Sequence, residues 1–145
     1  LIEEMVELYR YVAEDKGIGM AFELPERLYA RADPNRIRQV IANLLDNAVK
    51  YTPGGGRVKI EACRKSDGAM ISIQDTGGGI PPQDLPKIFD RLYRGDKNRS
   101  QRGLGLGLSL VRAVMRAHGG RCEVESHLGQ GSQFTLFLPA DPEVP

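Results

Sequence analysis

Between Asp33 and Thr52 the sequence suits an amphipathic helix, and the rest of the chain has to fold around it. Asp33 is a capping carboxylate, and Pro34 presets the φ of the first helical position, where no N–H is needed. Behind that start Ile37, Val40, Ile41, Leu44, Leu45, Ala48 and Val49 recur at helical spacing and form one wide apolar face. The run Thr52-Pro53-Gly54-Gly55-Gly56 stops it. A stripe that broad must lie on another apolar layer, and the following segments supply one. Val58, Ile60 and Ala62 alternate with Arg57, Lys59 and Glu61. After the turn Ser66-Asp67-Gly68, the residues Ala69, Ile71, Ile73 and Asp75 share one face of a second strand.

The remaining elements follow the same signals. Ile2, Met5, Val6, Tyr9, Val12 and Ala13 predict a first helix ended by Gly17 in its left-handed cap. Residues 18–24 and 27–32 read as short strands broken at Pro25, and a short helix is expected around Leu85, Ile88 and Phe89. A further helix is predicted from about Gly105 to His118, capped by Gly119. Strands near 121–126 and 132–138 are joined by His127-Leu128-Gly129-Gln130-Gly131, and an acidic, proline-containing tail at 140–145 is expected to be disordered. Strands in runs with helices interspersed predict an α+β fold, a two-layer α/β sandwich whose mixed, mostly antiparallel sheet carries helices on one face.

Composition narrows the function classes. The 145 residues suffice for one domain. Twenty basic against nineteen acidic side chains leave a net charge of +1, which argues against nucleic-acid binding by bulk charge. Cys63 and Cys122 stand far apart, outside any zinc or disulfide framework, and read as thiols of a reduced compartment, although a single bridge between them stays open. Arg112 interrupts the longest apolar run, so neither a membrane span nor a signal peptide is predicted within these residues. The chain opens at Leu1 already inside an amphipathic pattern, as expected of a piece of a longer protein.

Seventeen glycines exceed the roughly 10 expected from an average of ~7%, and many of them cluster beside polar residues. Asn43, Asn47 and Lys50 fall within about 60° of one another beside the apolar helix face. Two amides and an ammonium there suit a cleft holding a hard cation and phosphates, but alone they read sooner as a solvated flank. Asp75 ends an inward strand face directly before Thr76-Gly77-Gly78-Gly79-Ile80-Pro81. A carboxylate there can accept from the exocyclic amine of a base, or simply open a turn. Gly103-Leu104-Gly105-Leu106-Gly107-Leu108 precedes a helix, where exposed N–H groups and the macrodipole favour phosphate. The preceding residues 91–102 carry Arg91, Arg94, Lys97, Arg99 and Arg102 against Asp96, which suits a basic lid better than a merely solvated loop. Neither a Rossmann fingerprint nor a Walker loop is present.

The order of these signals resembles the catalytic, ATP-binding domain of bacterial sensor histidine kinases, the Bergerat (GHKL) fold shared with DNA gyrase, MutL and heat-shock chaperone ATPases. The segment Asn43-Leu-Leu-Asp-Asn47-Ala-Val-Lys50-Tyr51 is similar to the family's N box. Asp75-Thr-Gly77-Gly-Gly79 resembles the G1 box, and Ile88-Phe89-Asp-Arg-Leu-Tyr93-Arg94 the F box. Gly103 to Gly107 resembles the G2 box, and Gly129-Gln-Gly131-Ser132 the last glycine motif. The resemblance runs over residues 1–139, the expected catalytic domain.

It implies ATP and Mg2+ as cofactors, with Asn47 as a metal ligand assisted by Asn43, and Lys50 at the phosphates. Tyr51 would pack on adenine, Asp75 would accept from its amino group, and Ser132 would support the same base. Gly105 and Gly107 would present amides to the phosphates, and Arg94 would reach the γ-phosphate from the lid. Gly77, Gly79, Ile80, Phe89, Tyr93, Gly103, Leu104, Leu106 and Leu108 complete the implied nucleotide site, with Asn43, Lys50 and Arg94 the catalytic group. Leu104 replaces the family's usual small residue, Leu92 stands where Phe is common, and Gly78 adds freedom to the G1 loop; these departures bear on the lid more than on binding.

Hydrolysing relatives place a glutamate four residues before the metal-binding Asn. Here that position is Asn43, and an amide cannot act as general base, so transfer is expected over hydrolysis. Asp46 lies about 100° away from Asn47 around the helix. The γ-phosphoryl would go to a histidine of a dimerisation domain outside the chain, since His118, at a helix end, reads as structural and His127 lies in a turn. The implied partners are that domain of the same parent and a cognate response regulator; the fragment itself is expected to be monomeric, cytoplasmic and without nucleic acid. A serine kinase of the anti-sigma-factor type, or a nucleotide-sensing module without transfer activity, are the alternatives on this fold.

Overall fold

A computed structural model describes residues 1–90 and 107–143. Helix α1 (Ile2–Lys16) ends at Gly17 with φ 77°, the predicted left-handed cap. It is followed by β1 (Gly19–Glu23), helix α2 (Pro34–Tyr51), β2 (Arg57–Lys65) and β3 (Gly68–Asp75). Helix α3 (Gly107–Ala117), β4 (Arg121–His127) and β5 (Gly131–Pro139) complete the described elements. Asp33 caps α2 as the sequence predicts, its side chain accepting from the N–H groups of Asn35 and Arg36.

The five strands form one sheet in the order β1-β2-β3-β5-β4. β1 and β2 run parallel because α2 connects them by a crossover, and the other three pairs are antiparallel. One face of the sheet is apolar: Val58, Ile60, Ile71, Ile73, Phe134, Leu136 and Leu138 are buried in one core with Val40, Ile41, Leu44 and Leu45 of α2, Val6 of α1 and Val111 and Met115 of α3. The alternate positions carry Arg57, Lys59, Glu61, Gln74, Gln133 and Thr135, which leaves the helices on a single face. The α+β, two-layer architecture therefore stands as expected.

Two expectations are corrected, and the state of the two thiols is decided. Residues 27–32 form no strand, although Leu28, Ala30 and Ala32 do pack on the core. Their alternation reflects burial of every second side chain in an extended segment that pairs with nothing. The helix expected around Leu85, Ile88 and Phe89 shrinks to one 3-10 turn at Leu85–Lys87, closed by bonds three residues apart such as the Lys87 N–H to the Asp84 carbonyl at 2.9 Å. The bridge left open between Cys63 and Cys122 does not form, and both thiols are free. They sit on β2 and β4 with β3 and β5 between them, about 14 Å apart at ~4.8 Å per strand step, well beyond disulfide reach. Burial pushes the Cys122 thiol up to about 12.

Two long-range contacts tie the helices down. The Lys16 ammonium donates to the carbonyls of Val49 and Lys50, both at 2.8 Å, at the end of α2. His118 accepts the Asp33 N–H at Nε2 (3.0 Å) while Nδ1 lies 2.8 Å from the Val114 carbonyl, so one ring joins the end of α3 to the start of α2.

Candidate functional site

The breadth of the α2 stripe decides the first part of the site. Its apolar residues fix the helix on the sheet, so the flank carrying Asn43, Asn47 and Lys50 is held half-buried at the rim of the core. The Asn43 amide nitrogen donates to the Gly107 carbonyl at the start of the described part of α3, at 3.4 Å. With the nitrogen so engaged, the oxygen is the atom of this amide that can act as a ligand. The Lys50 ammonium lies 5.5 Å from the centroid of the Tyr51 ring. Asp46, on the other flank, is exposed, and its charge with burial raises the Tyr9 phenol above its ordinary value.

Asp75 supplies the second part. Only 9% exposed, it ends β3 on the core face, directly opposite Ser132 of β5. Its carboxylate accepts from the Gly77 N–H at 2.9 Å, and the nearby Ser132 backbone N–H also favours its charged form. Burial raises its titration above the ordinary carboxylate value, and those two N–H donors work against the rise. Thr52, Asp75 and Ser132 are three of the four buried polar residues among those described, and all lie at this end of the sheet.

Backbone geometry holds the glycine loop after Asp75 in place. Gly79 has φ 74°, and a Cβ on it would stand 2.3 Å from the His127 carbonyl oxygen. Gly131 has φ 122°, and a Cβ there would meet the Asp75 carbonyl at 2.0 Å. Both close approaches need glycine, so the loop and the β4–β5 turn lie backbone to backbone. The Gly129 N–H donates to the Gly78 carbonyl at 2.7 Å across the same seam.

Ser126 closes it. Its hydroxyl accepts from the Ile80 N–H at 2.8 Å, donates to the Gly131 carbonyl at 3.0 Å and lies 2.8 Å from the Ser132 hydroxyl. Sequence reasoning passed over this residue: it shares the inward strand face with Cys122 and Val124, but a lone serine there announces no partner. Its place two residues inside a hairpin, opposite Ser132, was the one available signal. The Lys16 cap on α2 was likewise missed, because nothing local to Lys16 announces a partner at Val49.

The structure sets Gly77 against the Tyr51 backbone, Asp75 opposite Ser132, and Asn43 against Gly107, while Asn47 and Lys50 share the flank of α2 that carries Asn43. The Ile80 backbone is held in the seam. Phe89 packs edge-on against Phe134, centroids 6.4 Å apart, with the Arg112 guanidinium 5.9 Å from its ring, so it supports the site from within the core edge. Leu108 packs partly buried against the core. Tyr93, Arg94, Gly103, Leu104, Gly105 and Leu106, and the basic loop with them, lie outside the described residues. Two open grooves of about 560 and 450 Å³ flank Leu24 and Pro25, away from Asp75 and the α2 amides. Among the described residues no group of three or more His, Cys, Asp or Glu side chains could hold a metal ion, and no helix is long and apolar enough to cross a membrane.

Residues 32–142 match the family model described as histidine kinase-, DNA gyrase B-, and HSP90-like ATPase. The chain belongs to this ATPase family. Within it, the similarity falls on sensor histidine kinases. The adaptive-response sensory kinase SasA of Synechococcus elongatus is 46% identical over 140 residues, covering 96% of this chain and 35% of that protein. The catalytic domain of the histidine kinase ThkA superposes with a TM-score of 0.86 at 31% identity, covering 97% of this chain and 92% of that one. Full-length ShkA, solved in complex with AMPPNP, gives a TM-score of 0.83 at 33% identity over 95% of this chain and 29% of its own. The chain thus spans about a third of the length of SasA and has the fold of a histidine kinase catalytic domain.

Proposed function

We propose that this chain binds ATP with Mg2+ and supplies the γ-phosphoryl group for a histidine in a dimerisation domain elsewhere in its parent kinase. The observation that carries this reading is the desolvated Asp75 carboxylate, which accepts from the Gly77 N–H in a loop packed against the Tyr51 backbone at the end of α2. In such a pocket Asp75 accepts from the exocyclic amine of adenine, with Ser132 beside it and Tyr51 against the ring. Support comes from the kinase relatives and from ShkA, which carries an ATP analogue on the same fold.

The donor set fits Mg2+. Asn43 has its nitrogen engaged, which leaves its oxygen as the ligand atom, and Asn47 lies one turn further along. A small hard cation takes few protein oxygens and fills its remaining positions with water and phosphate, so Asn47 and Asn43 suffice. Bound there, the ion would neutralise charge on the phosphates. Lys50 adds a positive charge, and Gly107 with Gly103, Gly105 and Arg94 would meet the phosphate chain. No carboxylate stands near Asn43 and Asn47 on their flank of α2 to activate water, since Asp46 faces Tyr9, which favours transfer over hydrolysis.

The phosphoacceptor lies outside the chain on this reading. Both ring nitrogens of His118 are engaged in holding α2 to α3. A dimerisation domain and a response regulator are therefore the partners, and residues 1–139 the functional unit, with 140–145 a tail. Titration of labelled ATP with and without Mg2+, on wild type and Asp75→Asn, tests the proposal. Wild type should bind more tightly with Mg2+, and Asp75→Asn should lose affinity by about 10-fold or more. No binding by wild type, or equal binding by the variant, overturns it.

A further inference from the structure

The hydroxyl of Ser126 meets three polar groups that differ in what they can do. The Ile80 amide can only donate, and the Gly131 carbonyl can only accept. The Ser132 hydroxyl can do either. Ser126 has one proton. A single assignment makes all three contacts hydrogen bonds: Ser126 receives from Ile80, gives its proton to the Gly131 carbonyl, and receives the Ser132 proton across the 2.8 Å contact. Ser132 then has its proton committed away from the cleft, and its lone pairs are what it can offer there.

Ser132 is opposite Asp75 in the β3–β5 register and on the same face, so the two side chains stand about 5 Å apart at Cβ. An ionised carboxylate is also acceptor-only. Asp75 and Ser132 consequently meet a base edge as two acceptors. A base edge bearing an amine satisfies both groups, whereas one bearing a carbonyl leaves acceptor facing acceptor. We infer that Ser126 is a specificity-determining positioning residue. By fixing the Ser132 hydroxyl as an acceptor, it makes the pocket select 6-amino over 6-oxo purine nucleotides. This rests on the nucleotide-binding reading above and adds to it a residue that touches no ligand itself.

The test compares ATP with inosine triphosphate, which differs in carrying the 6-oxo group. Binding of each is measured on wild type, Ser126→Ala, Ser126→Thr, Ser132→Ala and the Ser126→Ala/Ser132→Ala double variant, with unfolding of each nucleotide-free protein followed in parallel. In Ser126→Ala the Ser132 hydroxyl is free to rotate and donate, so the ATP-to-inosine preference should fall by about 10-fold, the scale of one hydrogen bond. Ser126→Thr keeps the hydroxyl and should keep the preference. The double variant should match Ser132→Ala, because Ser126 acts through Ser132. An unchanged preference in Ser126→Ala, even with both affinities lowered, overturns the inference and leaves the nucleotide-binding reading intact. Should Ser126→Ala not fold, a preference retained by Ser132→Ala overturns it equally. Failure of wild type to bind ATP refutes the nucleotide-binding reading itself.

Discussion

Asp75 is held where its charge is costly. Burial raises its titration above the ordinary carboxylate value, partly offset by the Gly77 and Ser132 N–H groups. A folded-state value above the unfolded 3.8 means that the native protein holds this proton more tightly than the unfolded chain. Its contribution is therefore fully favourable below about pH 3.8 and is lost as pH rises through the raised folded value. Asp75→Asn removes that loss while its amide oxygen can still accept from the Gly77 N–H. The nucleotide-free variant should accordingly be more stable than wild type at neutral pH, with the difference vanishing in acid, even as ATP binding is lost. Urea midpoints at pH 7 and pH 3.5 check this, and a variant less stable at pH 7 counts against it. Gly79→Ala tests the loop seam: φ 74° and the 2.3 Å approach to the His127 carbonyl should cost upwards of about 1 kcal/mol and weaken ATP, read by thermal unfolding and titration. Residue roles were partly legible. An inward Asp before a glycine run announced Asp75, but Ser126 was invisible because its partners come from the glycine loop and from another strand.

Elements owe their position to contacts that no local pattern encodes. α2 was readable in full, since the capping carboxylate, the proline at its first turn and its apolar stripe all agree. The segment 27–32 was misread, because alternating burial and strand pairing produce the same sequence signal and only the second needs a neighbour. The Lys16 ammonium caps α2 from a different helix and complements the negative end of its dipole. Lys16→Met keeps the aliphatic stem and drops the charge, and should cost about 1 kcal/mol of stability in chemical denaturation. Because those carbonyls belong to Val49 and Lys50, the same change should weaken ATP slightly by loosening the end of α2. Lys16→Arg should preserve both. A midpoint unmoved in Lys16→Met would show that water serves those carbonyls equally well.

At the scale of the whole molecule, a single sheet face carries the three described α-helices, and one end of that sheet carries the buried Asp75 at the proposed nucleotide site. His118 is consumed by structure, so the chain should bind ATP–Mg2+ without phosphorylating itself. Incubation with γ-labelled ATP, followed by an alkaline gel that preserves phosphohistidine, should show no labelled chain. Adding a separately folded dimerisation domain from the same parent should give label on that domain alone. Label on the chain by itself would place an acceptor within it and overturn the division of labour proposed above.

Sequence alone determined the helix and strand periods, the inward carboxylate, the amide flank and the order of the glycine motifs, since each is written in spacing along one element. Only the tertiary structure decided which strands pair, that Gly79 and Gly131 bring two loops into backbone contact, and that a serine on β4 orients a serine on β5. The physical reason is range. Period and capping are settled within a few residues, whereas hydrogen-bond direction in a shared pocket depends on groups far apart in the chain and adjacent only once the sheet has formed.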